Sequence, residues 1–134
     1  MKVRIYYHHT DCGGVVYYAN YLNFLEEART EFLENRGVLI KDLQHAGTLF
    51  VVARQEINYK LPAFYGDTLT VETKITNVAG VKIEFEYEIK NQNNQAVSEA
   101  KTVLVCIGRD FKPKAIPREI RKKIEGEEWI RKKQ

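Results

Sequence analysis

Cysteine is scarce in this chain: Cys12 and Cys106 are the only two among 134 residues. Two thiols without CxxC spacing exclude a disulfide framework and a zinc knuckle, and they fit a reducing, cytoplasmic compartment. Long apolar runs are missing too. No stretch approaches the roughly 18 residues that a membrane span needs, and the opening MKVRIYYHHT lacks the uninterrupted apolar core of a secretory signal. Glycine patterns that cradle phosphates, of the Walker or GxGxxG kind, are absent as well, which removes nucleotide binding through such loops. Charge of one sign is lacking over most of the chain. The formal net charge is +3, and residues 117–134 account for all of it with seven Lys/Arg against four Glu. The remainder holds fourteen of the 21 basic and fourteen of the 18 acidic residues, a neutral body that argues against nucleic-acid binding.

What is present suits one domain over residues 1–134, with a basic C-terminal segment from about residue 112. At this length roughly two thirds of the unfolded surface can be buried. Residues Lys2 to His9 alternate, Val3, Ile5, Tyr7 and His9 against Lys2, Arg4, Tyr6 and His8, which predicts a half-buried strand. From Ala19 the period changes to three and four through Tyr21, Leu22, Phe24, Leu25, Ala28, Phe32 and Leu33, predicting a helix to Arg36 stopped by Gly37. A connecting stretch to about Gly47 follows. Alternation then returns: Leu49, Val51, Ala53, Gln55, Ile57, Tyr59 and Leu61 on one face of a strand closed by Pro62; Leu69 to Ile75 after a Tyr65-Gly66-Asp67 turn, with a break at 77–80; Val81 to Lys90; and Ala96 to Ile107 after the polar turn 91–95. Val103 to Ile107 is apolar on both faces, as in a central strand. Turns this short exclude parallel crossovers, so the strands form an antiparallel meander, with the one long helix as cover for its apolar face. A short helix from Ile116 to Gly126 is expected, with Pro117 at its first position.

The chemistry gathers in HTDCGGVVYYANYL, His9 to Leu22. Asp11 stands where strand gives way to loop, and Gly13-Gly14 allow positive φ and close approach of a ligand. Beyond them the N–H groups near Tyr17, Tyr18 and Ala19 open the long helix, where they have no intrahelical acceptor and can donate to an anion. A carboxylate facing such donors is what acyl transfer needs. An aspartate before glycine is equally the residue that closes a turn, and that reading stays open at this point. Cys12 as a nucleophile activated by His8 or His9 is disfavoured, because adjacent residues in an extended chain point apart. His8, His9, Asp11 and Cys12 are too close in sequence to converge on one metal ion. The tyrosines could stack on bases, but at a strand–helix junction they belong more naturally to a core or interface.

The stretch TDCGGVVYYANYLNFLEEARTEFLENRG, followed in order by VVARQEINYKLPAFYGDTLTVET and SEAKTVLVCI, resembles the 4-hydroxybenzoyl-CoA thioesterase family, and within it the YbgC-type acyl-CoA thioesterases. The resemblance implies an α+β hotdog fold, a long central helix wrapped by a five-stranded antiparallel sheet. It implies hydrolysis of an acyl-CoA to free acid and CoA without cofactor or metal. It assigns Asp11 as nucleophile or general base, the backbone N–H at Tyr18 as the group polarising the carbonyl, and Tyr7, Gly14, Val15 and Asn20 to substrate binding. It further implies a homodimer or a dimer of dimers with sites at the shared interface, and acyl carrier protein as a conceivable partner. Two positions depart from the pattern: Tyr18 stands where many YbgC-type members have histidine, and His9 where an acidic residue is expected. The weighed alternatives are a hydratase, for which the helix offers no histidine, and a noncatalytic module that binds acyl thioesters or acyl carrier protein, which leaves Asp11 unexplained.

Overall fold

The computed structural model describes residues 1–125, and the alternating segments become one sheet. Its strands are β1 (Lys2–Arg4), β2 (Leu49–Tyr59), β3 (Thr68–Ala79), β4 (Lys82–Lys90) and β5 (Ala96–Ile107), in the order β1-β3-β4-β5-β2 with every pairing antiparallel. Strand β4 shows why. Ile83, Phe85, Tyr87 and Ile89 are buried, while Glu84, Glu86 and Glu88 face outward. On the outer face charges of opposite sign sit across strands, Lys74 and Lys101 each within 3.6 Å of Glu86; such exposed pairs add little stability but set register.

Helix α1 (Asn20–Glu34) covers the inner face with Tyr21, Phe24, Leu25, Ala28 and Leu33. Phe32 meets Phe85 edge to face at 6.0 Å, which ties the second half of the helix to the middle of the sheet. Gly37, at φ +78°, ends it as expected, with the Val38 N–H reaching back to the Leu33 carbonyl at 2.9 Å. The architecture is the expected α+β hotdog, a sheet curled round a central helix. Among the described residues no helix is long and apolar enough to cross a membrane.

Six expectations need correction. The four strands after the helix do not run as one meander: β3, β4 and β5 do, but β2 lies beyond β5 at the far edge of the sheet rather than beside β3. The first strand ends at Arg4, because its partner β3 begins at Thr68 opposite that residue; Tyr7–His9 turn instead into a short 3-10 helix. The connecting stretch contains a helix, α2 (Ile40–His45). Strand β2 does not keep Leu49, Val51 and Ala53 on the face of Gln55, Ile57 and Tyr59. A bulge between Val52 and Arg54 puts Phe50 and Val52 opposite buried Cys106 and Leu104, so these two share the inner face with Gln55 and Ile57. Strand β3 continues through the expected break to Ala79 by means of a second irregularity between Ile75 and Asn77. Finally, α3 runs Arg118–Ile124 with Pro117 capping it from outside; the expected end at Gly126, and Arg131, Lys132 and Lys133 of the basic segment, lie outside the described residues.

Candidate active site

The local sequence folds the His9–Leu22 stretch into a tight frame. The Asp11 N–H donates to the Val15 carbonyl at 2.9 Å and the Gly14 N–H to the Asp11 carbonyl at 3.1 Å. Gly14 takes φ +81°, a conformation a β-carbon would strain. The Asp11 side chain closes this turn itself, Oδ1 accepting the Gly13 N–H at 2.7 Å. The turn-closing role is therefore real, and it leaves the carboxylate exposed with Oδ2 making no hydrogen bond among the described residues. One oxygen is anchored, so the other is held in a defined direction.

Two donors converge on a residue just before this turn. The His9 carbonyl accepts the Tyr17 N–H at 2.9 Å and the Asn20 Nδ2 at 2.8 Å, pinning the start of α1 to the turn that carries Asp11. Asn20 is thus a positioning residue. The Tyr17 N–H, expected to be free, is consumed by this contact. The N–H groups of Tyr18 and Ala19 have no acceptor among the described residues, and they point out of the positive end of the helix dipole. Val15 pairs with Phe64 and Val16 with Thr10, which closes the loop onto the segment before β3. Tyr7 is the outlying member of the expected set: it is exposed and meets Tyr65 at 6.2 Å, edge to face.

A residue that no local pattern singled out joins them. Tyr59, at the far end of β2, directs its hydroxyl to the Tyr18 carbonyl at 3.4 Å, and its ring packs on Tyr21 at 5.4 Å. Burial, with Tyr59 and Asp67 nearby, pushes the Tyr21 phenol up to about 12, so it stays protonated and serves as a neutral wall. The thiols separate as expected, Cys12 exposed beside Asp11 and Cys106 buried in β5, where burial raises its pKa. A hollow of about 480 Å³ on the sheet is lined by Glu72, Lys74, Glu86, Glu88, Glu99 and Lys101, and among these Lys74 and Lys101 pair with Glu86.

His9 occupies a place where an acidic residue was expected. Its Nδ1 accepts the Tyr6 N–H at 2.9 Å, which requires the neutral ring. Burial first, and the neighbouring His8 second, lower its pKa below 6.5. The unfolded chain therefore binds this proton more readily than the folded one, so stability is lost as pH falls below 6.5 and is unaffected above it. Urea midpoints measured from pH 7.5 to 5 should fall more steeply for the native protein than for His9→Gln; parallel curves would show that this hydrogen bond carries no linkage.

Comparison with known proteins adds an independent line. The profile of the thioesterase-like superfamily matches residues 5–124. The chain is similar to the acyl-CoA thioester hydrolase YbgC of Escherichia coli O6:H1, 39% identical over 119 residues that cover 88% of this chain and 89% of that one. It is similar to the acyl-CoA thioesterase YbgC of Haemophilus influenzae, 40% identical over 124 residues, 89% of this chain and 88% of that one. Among solved structures, the DHNA-CoA thioesterase of Staphylococcus aureus superposes with a TM-score of 0.83 at 29% identity, over 86% of this chain and 78% of that one.

Proposed function

The chain belongs to the thioesterase-like superfamily, and from that premise we propose that it hydrolyses acyl-CoA thioesters to a free acid and CoA, with Asp11 as the working carboxylate. The observation that carries this is an Asp11 carboxylate with one oxygen anchored and the other without a partner among the described residues, on the loop that leads into a helix start where the Tyr18 N–H is unused. A thioester whose carbonyl oxygen rests on the Tyr18 N–H, at the positive end of α1, has its carbon polarised and the developing negative charge stabilised. Asp11 then either attacks that carbon, giving an anhydride that water opens, or takes a proton from a water that attacks. In both routes the C–S bond breaks, the thiolate leaves and is protonated to CoA, and water supplies the acid's new oxygen. The anchored Oδ1 keeps the carboxylate oriented while Oδ2 reacts. The Tyr18 side chain, where many relatives of the YbgC type have histidine, takes no proton in this scheme; its backbone does the work. Gly14 and Val15 shape the approach, and Tyr7 lines the outer rim. Residues 1–134 act as a single catalytic domain in this reading.

The active unit is a homodimer in this reading. Among the described residues strand β2 pairs only with β5, leaving an eleven-residue edge with Val51 and Val52 exposed, and a long apolar edge calls for a partner strand. Self-pairing of β2 across a two-fold axis satisfies it and brings a second copy beside Tyr59 and the loop. Release of free thiol from short aliphatic, long aliphatic and aromatic acyl-CoAs, and from an acyl-loaded carrier protein, tests the activity on protein sized by sedimentation. Turnover of at least one class by a species of two chains or more is expected. A folded protein that hydrolyses none of them would overturn the reading.

A further inference from the structure

The substrate's thioester end is accounted for above, but its nucleotide end is not. Near the loop the cations are engaged: Arg4 lies over the Tyr6 ring at 5.6 Å and Lys60 pairs with Glu99 at 2.8 Å. A different feature fits a phosphorylated purine. After β5 the chain makes a tight turn, Gly108 to Lys112, whose tip presents Phe111 with 75% of its surface exposed and φ +62°. A bulky residue is rarely held at positive φ, and a Phe there gains nothing from burial.

The tip is nonetheless rigid. The Phe111 N–H donates to the Gly108 carbonyl and the Gly108 N–H to the Lys112 carbonyl, each at 3.0 Å, and Asp110 Oδ1 accepts the Lys112 N–H at 3.1 Å. Arg109 clamps it to the end of α2 through a 2.7 Å bond to the His45 carbonyl, and Lys114 does so through a 2.8 Å bond to Thr48 Oγ1. Gly47, at φ +84°, leaves room for the guanidinium, since a β-carbon there would stand 3.1 Å from Arg109 Nε. The result is an exposed, pre-set aromatic ring with Lys112 immediately after it and, two residues before it, Arg109, whose Nη2 is held by the His45 carbonyl and whose other N–H groups have no acceptor among the described residues. Such a platform stacks a base and offers cations to its phosphates.

We propose that this tip, contributed by the second copy of the chain, binds the adenosine 3′-phosphate 5′-diphosphate end of coenzyme A. It rests on the thioesterase reading above. Within one chain the tip is misplaced, because Ile107 pairs with Leu49 at the start of β2, whereas Tyr59 and the Asp11 loop stand at its end, about 33 Å away along the strand. Antiparallel self-pairing of β2 sets the start of each strand beside the end of the other. The tip of one copy then flanks the loop of the other, and the site is incomplete in a monomer.

The test compares an acyl-CoA with the same acyl group on N-acetylcysteamine, which has the thioester but no nucleotide. Phe111→Ala is expected to raise KM for the acyl-CoA about tenfold with kcat unchanged, to leave the truncated thioester unaffected, and to be rescued by Phe111→Trp. Phe111→Gly should behave like the alanine variant while relaxing the positive φ, so a folding defect would be recognised. A heterodimer of Asp11→Asn and Phe111→Ala chains is expected to show native KM at half the native kcat, since one of its two sites then has both parts intact. Equal shifts on both thioesters, no shift, or a heterodimer with raised KM only would overturn the assignment, as would a Phe111 dependence confined to binding of anionic vesicles. Should the native protein hydrolyse neither thioester, the thioesterase reading fails by itself. Calorimetry with adenosine 3′,5′-bisphosphate then decides the tip: Phe111-dependent binding upholds it, and no binding removes it.

Discussion

Asp11→Asn is expected to lower kcat for the preferred acyl-CoA by roughly 10²–10⁴, the range for loss of a positioned acid, base or nucleophile, while thermal unfolding stays close to native. The separation follows from the two oxygens of the carboxylate. Asparagine keeps an Oδ1 that can accept the Gly13 N–H, now 2.7 Å away, so the turn around Gly14 survives. What disappears is the negative charge and basicity of the other oxygen, which faces outward and holds no structural bond. Asp11→Ala, by contrast, should cost activity and also loosen the turn. Thiol release measured at saturating substrate, with circular dichroism on the same samples, checks both halves. A loss below threefold in Asp11→Asn would remove Asp11 from the mechanism, and a loss of fold would return it to the role of a turn-closing residue.

Phe85→Ala should destabilise the protein by about 3–5 kcal/mol, the usual cost of truncating a buried aromatic ring. Phe85 is 1% exposed, packs edge to face on Phe32 of α1 and lies 6.3 Å from Tyr87. The ring is enclosed between α1 and the sheet, so its loss leaves a cavity. Against a typical stability of 5–15 kcal/mol this is a large fraction, and urea unfolding would read it as a lowered midpoint at constant slope. Activity near 20 °C should survive in the folded fraction, since the Asp11 loop hangs from the other end of α1 through Asn20 and Tyr17. A cost under about 1 kcal/mol would mean that α1 is held to the sheet by other contacts.

Much of this was legible along the chain because it is encoded over short distances. Strand β4 alternates over nine residues and needs no partner to declare its faces. The stripe of α1 and its glycine stop behave likewise. The proposed site was legible for the same reason: Asp11, Gly14 and Tyr18 lie within eight residues, on one turn and the helix start that follows it.

Where a partner distant in sequence decides the outcome, local pattern misled. Tyr7 and His9 continue an alternating pattern, yet no strand lies opposite them, so they turn. The faces of β2 swap at Ala53 because β5 fixes the register on both sides of the bulge. Tyr59 reaches Tyr18 across 41 residues. By itself, then, the sequence determined most of the element types, the antiparallel pairing and the one long helix over the sheet, since periodicity and turn residues act over a few positions. The tertiary structure alone decided register, the place of β2 beyond β5 and the contact of Tyr59 with Tyr18, since those depend on hydrogen-bond partners that the chain must first fold to find.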